Sequence, residues 1–184
     1  MNNAPLQPTP EAAPSSTSPG HTIGPFFHDA LGWAGSAGSA DDPAHGPIRI
    51  EGTVEDGAGE RLPAWLVEVW VPQAVAAERD AGLAAPGFRR LLNDDRGAFS
   101  FRVHPPAAGQ PAAFVTLFGL GLTQHQFTAV FLDTAPAGGA QPCLLDAVPA
   151  ERRATLIAER IGEAHYRWTI RTQGDRETVF LDYR

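Results

Sequence analysis

Short runs in which every second residue is apolar recur along the chain, each closed by turn-forming residues, and this pattern limits the fold more than any other feature. Ile48, Ile50 and Val54 alternate with Arg49, Glu51, Thr53 and Glu55, the period-two signature of a half-buried strand. Asp56-Gly57-Ala58-Gly59 follows as a turn. Trp65, Val67, Val69 and Val71 then share one face, with Leu66, Glu68 and Trp70 on the other, so the two runs predict a hairpin. Phe99, Phe101 and Val103 alternate with Ala98, Ser100 and Arg102, after a turn at Asn93-Asp94-Asp95-Arg96-Gly97. Ala112 to Leu120 is almost wholly apolar and reads as a central strand, and Phe127 to Leu132 as another. Tyr166, Trp168 and Ile170 alternate with Arg167, Thr169 and Arg171, and a turn at Gln173-Gly174-Asp175 leads to a last strand over Thr178 to Asp182.

Between these runs the signals differ. Residues 31–46, rich in Gly, Ser and Ala, and residues 72–95, which lack a clean period, read as loops. His104 to Pro111 is a Pro-rich connection. Glu151 to Ile161 is the one predicted helix, with Pro149 before it, Gly162 after it, and Leu156, Ile157 and Ile161 on one face. About seven short strands and one short helix predict an all-β fold, a β-sandwich over residues 21–184. Residues 1–20, dominated by Pro, Ser, Thr and Ala, are expected to form an extended or flexible N-terminal arm.

Composition removes several classes of function. Lys and Arg total 14 against 21 Asp and Glu, a net charge of -7 without any basic run, which speaks against nucleic acid and anionic membrane as partners. Met1 to Pro19 has neither the basic start nor the apolar run of a secretory leader, and no stretch is apolar enough to span a bilayer. With one cysteine, Cys143, expected as a small buried hydrophobe, a cytoplasmic location is predicted. His21, His28, His45, His104, His125 and His165 make no pair at metal-binding spacing, and surface or hydrogen-bonded roles are expected for them. There is no Gly-x-Ser-x-Gly elbow, no phosphate-binding loop and no dinucleotide fingerprint; Gly119-Leu120-Gly121 reads as a turn. Trp70, Tyr166 and Trp168 are expected in the core.

Several segments, in order, resemble protocatechuate 3,4-dioxygenases, an intradiol ring-cleavage family. They are Thr22-Ile23-Gly24-Pro25-Phe26-Phe27, Ile50-Glu51-Gly52-Thr53-Val54, Val67-Glu68-Val69-Trp70, Gly97-Ala98-Phe99-Ser100-Phe101, Thr116-Leu117-Phe118 and Phe131-Leu132-Asp133. Arg152-Arg153 through Leu156-Ile157-Ala158, Tyr166-Arg167, and Gly174 to Asp182 look like the family's alpha subunit. The resemblance implies a β-sandwich working with a homologous beta subunit, and cleavage of 3,4-dihydroxybenzoate by O₂ to 3-carboxy-cis,cis-muconate.

In catalytic chains of that family two tyrosines and a His-x-His pair hold Fe³⁺; phenolates are hard anionic donors that suit the ferric ion. Here the tyrosines are Tyr166 and Tyr183, and none lies between Trp70 and Pro111, where ligands would be needed. The His-x-His position corresponds to Ala112-Ala113-Phe114. No metal ligand and no cofactor is therefore expected in this chain, and Fe³⁺ is expected in the beta subunit. The resemblance implies that Thr22, Ile23, Gly24 and Pro25 border the partner's substrate pocket; Gly24 permits close backbone approach and Thr22 offers a hydroxyl. An arginine of a Phe-x-Arg-Gly segment is replaced by Leu120 in Phe118-Gly119-Leu120-Gly121, so substrate preference stays open. Two alternatives remain at this point: a stand-alone binding or structural sandwich, and a metalloenzyme whose site is assembled from distant residues.

Overall fold

The computed structural model describes residues 40–119, 121–132 and 143–182. Eight strands, β1 (Ile48–Glu55), β2 (Leu66–Trp70), β3 (Phe88–Leu92), β4 (Ala98–Val103), β5 (Ala113–Phe118), β6 (Gln126–Leu132), β7 (Ile157–Gly162) and β8 (His165–Arg171), form a sheet in the order β3-β2-β5-β6-β7-β8-β1-β4. Among the described residues one α-helix, α1 (Val75–Asp80), accompanies them. The sheet folds over on itself, so β3-β2-β5-β6 faces β7-β8-β1-β4. The two halves are joined along one side by a parallel pairing of two residue pairs, Phe131 with Ile157 and Leu132 with Ala158. On the other side β3 and β4 touch without sharing a ladder. Among the described residues no helix is long and apolar enough to cross a membrane.

The alternation read from the sequence is what fills the interior. Val67, Val69, Val115, Leu117 and Val130 from one half meet Ile50, Val54, Phe101, Val103, Trp168 and Ile170 from the other, all buried in one cluster. Each such side chain contributes about 1.5–3 kcal/mol by leaving water. A smaller cluster lies on the opposite face of β6, where Ala129 and Phe131 meet Val148 and Leu156, with Val179 and Leu181 against them. Cys143 is half-buried at its margin rather than fully enclosed.

Two aspartates close the turns. Asp56 Oδ1 accepts the amides of Ala58 and Glu60, and Asp94 Oδ1 those of Arg96 and Ala98. These are Asx turns, and they account for the turn propensity seen in both segments.

Several expectations are corrected. β1 and β2 do not form a hairpin: β1 pairs with β4 and β8, and β2 with β3 and β5. Both strands turn an apolar face toward the same core, so they stand in opposite halves, and the run between them turns back on the end of β1 through a bridge from Glu55 to Arg61. Glu151 to Ile161 is not a helix. A 3-10 turn over Arg153–Leu156 leads into β7, whose Ile157 and Ala158 find partners on β6 while Glu159 and Arg160 pair with β8. Leu156 is buried but Ile161 is exposed, so the apolar residues never share a face; the tertiary ladder overrides local propensity. Residues 72–95 are not one loop, since they hold a 3-10 turn Pro72–Ala74, α1 and β3. Thr178 to Asp182 has no ladder; it is an extended segment tied down by Leu181 N–H to the Phe127 carbonyl and by Thr128 Oγ1 to the Val179 carbonyl. Tyr166 and Trp168 are core, as expected, but Trp70 is 43% exposed on the outward face of β2.

Candidate functional site

The positions where a ferric site would need donors hold apolar side chains. Ala112 and Ala113 are fully buried at the entry to β5, and Phe114 points outward and stacks on Phe127 with ring centroids 5.7 Å apart. Tyr166 lies in the core on β8, far along the chain from that entry, and Tyr183 lies outside the described residues. Thr22, Ile23, Gly24 and Pro25 also lie outside them, as does Leu120. Gly119 is described. It meets the face of Trp65, whose ring would stand 2.3 Å from an added Cβ, and its carbonyl accepts the Leu122 amide in the expected turn.

A deeply buried polar cluster was not visible in the sequence. Glu78 on α1 is fully buried, and Arg89 on β3 is 1% exposed. Glu78 Oε1 binds Arg89 Nη2, and Oε2 accepts Arg89 Nη1 at 3.0 Å and the Gly87 amide at 2.7 Å. The same guanidinium donates to the His45 carbonyl at 3.3 Å. Two imidazoles face the carboxylate. His45 Nδ1 is 3.5 Å from Oε1 and His104 Nε2 is 3.9 Å from it. Both ring nitrogens are buried, and neither makes a hydrogen bond. Burial and then the Arg89 charge hold the His45 ring below its ordinary proton affinity, with Glu78 opposing. The only early signal was Phe88-Arg89-Arg90-Leu91-Leu92, a β-prone run broken by two arginines.

This cluster does not fit a ferric ion. Both oxygens of its one carboxylate are already engaged by a guanidinium, and it contains no phenolate. Among the described residues no group of three or more His, Cys, Asp or Glu is arranged to hold a metal.

The outward face of β4-β1-β8 carries an open groove of about 490 Å³. Its charges neutralise one another. Arg49 Nε binds Asp41 at 2.8 Å and Ser100 Oγ at 3.0 Å. Glu51 takes the fork of Arg167 at 3.0 and 2.9 Å and lies 3.1 Å from His165, and Glu55 pairs with Arg61 and Arg171. The Arg167 hydrogen bonds hold the Glu51 carboxyl below the usual carboxylate range. Each arginine lining the groove, Arg49, Arg61 and Arg167, is already paired with a carboxylate and is not free for an aromatic acid.

Comparison with known proteins decides the family. The chain is 30% identical to the protocatechuate 3,4-dioxygenase alpha chain of Pseudomonas putida over 193 aligned residues, covering 90% of this chain and 96% of that one. It belongs to the protocatechuate 3,4-dioxygenase alpha-chain family. The alpha chain of Burkholderia cepacia is 36% identical over 143 residues, 72% of this chain and 66% of that one. Of solved structures, the dioxygenase domain of a Streptomyces carbohydrate-binding fusion gives a TM-score of 0.46 at 15% identity, covering 67% of this chain and 76% of that one. Catechol 1,2-dioxygenase from Pseudomonas arvilla gives 0.43 at 16% identity, covering 67% and 51%. No family model matches the chain. Membership agrees with the order of the motifs in the sequence and with an all-β sandwich carrying one short helix.

Proposed function

We propose that the chain is the iron-free alpha subunit of a protocatechuate 3,4-dioxygenase. It acts with a homologous beta chain that holds Fe³⁺, in cleaving 3,4-dihydroxybenzoate with O₂ to 3-carboxy-cis,cis-muconate. One observation carries this reading: the entry to β5, where the family's catalytic chains present a His-x-His pair, is built here from Ala112, Ala113 and the outward ring of Phe114. The ferric ion would supply the electron-accepting centre at which a bound catechol becomes open to O₂. This chain's share is scaffold and pocket wall. Thr22, Ile23, Gly24 and Pro25 would border the partner's pocket, Gly24 by admitting backbone close to substrate and Thr22 by offering a hydroxyl. With Leu120 in place of an arginine, the substrate carboxylate would depend on a cation of the beta chain. Trp70 at 43% and Leu92 at 47% exposure, both on β2-β3, support a chain built to meet a partner. A cytoplasmic location accords with the lone cysteine.

Expressing the full chain alone and together with the beta chain tests this. The chain alone should hold no stoichiometric iron and consume no O₂ with 3,4-dihydroxybenzoate; the pair should co-elute, carry iron and cleave the ring. Stoichiometric iron in the chain alone would overturn the assignment. Two chains that elute apart, with no activity gained, would favour a stand-alone sandwich. Within the complex, Gly24→Val should raise KM or lower turnover while assembly persists; unchanged kinetics would take that loop out of the pocket.

A further inference from the structure

The sheet fails to close between β3 and β4, and the buried polar cluster stands at that opening. Arg89 belongs to β3. His104 follows directly on the last residue of β4, and His45 lies in a 3-10 turn, Pro43–His45, that packs on β4. Glu78 reaches them from α1, the helix between β2 and β3. Arg89 spans the unladdered seam: it holds Glu78 of α1 and donates to the His45 carbonyl, while Glu78 Oε1 faces both imidazoles. No hydrogen bond between strand backbones shares that task, because β3 and β4 have no ladder.

We propose that Glu78, Arg89, His45 and His104 form a proton-operated latch on this seam, in which proton uptake by His45 draws Glu78 away from Arg89 and releases β3 from α1 and from the β4 side. A charge count carries the argument. With both rings neutral, Glu78 and Arg89 cancel and the buried cluster is neutral. A proton on His45 places a second cation beside the Arg89 guanidinium in a space from which water is largely excluded. Glu78 Oε1 is the atom contested, since Arg89 Nη2 holds it while His45 Nδ1 and His104 Nε2 stand 3.5 and 3.9 Å away. A protonated ring donates to that oxygen and displaces the guanidinium. The groups facing His45 are Glu78 from α1, Arg89 from β3, His104 beyond β4 and Asp42 on its own turn; Glu78 and Asp42 favour the protonated ring, whereas burial and Arg89 disfavour it. Burial and Arg89 prevail, so the His45 ring binds its proton less tightly than its ordinary value of 6.5. A group shifted down in this sense contributes stability that is whole above the unfolded value and is lost as pH falls through the folded one. The latch is closed at neutral pH and opens on mild acidification.

Amide hydrogen exchange on the full chain tests this. The probes are the amide of Gly87, which donates to Glu78 Oε2, and that of Val71, which donates to the Gly87 carbonyl; amides of β5 and β6 are the internal reference. Between about pH 7.5 and 5.5, protection at the two probes should fall roughly tenfold more than at β5–β6, the change equivalent to one pH unit of coupling. In His45→Gln/His104→Gln, whose side chains carry no titratable proton, the excess loss should disappear. An equal fall at probes and reference in the unaltered chain, or the same excess loss in the double variant, would overturn the latch. If the double variant does not fold, His45→Gln alone serves, because His45 Nδ1 is the ring nitrogen nearer to Glu78 Oε1. The excess loss should disappear there as well, and its retention would count against the proposal.

Discussion

The ring of Phe99 lies directly over the α-carbon of Gly52, its partner across β1 and β4, so that a Cβ on Gly52 would stand 2.3 Å from the ring's Cζ. Gly52 is on the inward face of β1 between Ile50 and Val54, and the missing side chain leaves room for Phe99, which stacks on Phe101 at 6.1 Å.

Gly52→Ala should therefore destabilise the chain by about 1–3 kcal/mol, the usual cost of overpacking, even though alanine suits a strand better than glycine. Urea unfolding measures it. Phe99→Leu in the same chain should recover part of the loss, and two strictly additive losses would refute the contact.

Asn93 fastens the turn before β4 to the start of β2. Its Oδ1 accepts the Trp65 amide at 2.7 Å, its Nδ2 donates to the Leu62 carbonyl at 2.7 Å, and its own amide donates to the Trp65 carbonyl at 2.9 Å. The residue is 3% exposed, so Asn93→Ala leaves buried backbone groups unpaired. A loss of about 1–3 kcal/mol is expected in chemical denaturation. Asn93→Asp should restore the acceptor but not the donor, and so fall between the two.

Arg89→Met should cost about 3–5 kcal/mol, because it strands the Glu78 carboxylate in the interior. Glu78→Leu combined with Arg89→Met removes both charges and should cost much less than the two single changes summed. A double-mutant cycle checks this, and additivity would mean that the pair is not coupled.

On the outward face, Glu51 is held by the Arg167 fork and His165, and its carboxyl stays ionised to lower pH than its ordinary value of 4.5. The folded value is depressed, so its contribution is whole above the ordinary value and is lost as pH falls through the folded one. Glu51 and Arg167 are 30% and 59% exposed, so solvent screening keeps the effect below about 1 kcal/mol. Arg167→Ala should lower the thermal midpoint slightly at pH 7 and by progressively less as pH falls below 4.5; the reverse order would refute the assignment.

The strands were legible where one face is buried and the other wet. β1, β4 and β8 each bury every second residue, and the alternation of Ile48 to Val54, Phe99 to Val103 and Tyr166 to Ile170 stated this directly. Reading failed where the ladder decides conformation. Ile157 to Gly162 has helical spacing and helix-bounding residues, yet its backbone groups are claimed by β6 and β8. β3 was hidden because Arg89 and Arg90 look like solvent-facing charge, whereas both are buried, Arg89 on Glu78 and Arg90 on Glu68. Trp70 misled in the opposite direction, since its size suggested the core and its parity put it outside. The absence of donors at Ala112-Ala113-Phe114 could be read at once, whereas the latch joins residues from 45 to 104 that no spacing rule connects.

The pairing of β1 with β8 has a consequence for synthesis. Arg49 lies opposite His165 and Glu55 opposite Arg171, so a strand made early waits for one made more than a hundred residues later. Elongating at about 5–20 residues per second, a ribosome leaves that edge of β1 uncovered for many seconds. During that interval the emerging polypeptide presents an open template to any neighbouring nascent chain. A chaperone that shields residues 48–55 until the C-terminal hairpin emerges would raise the yield of folded protein more than one acting after release.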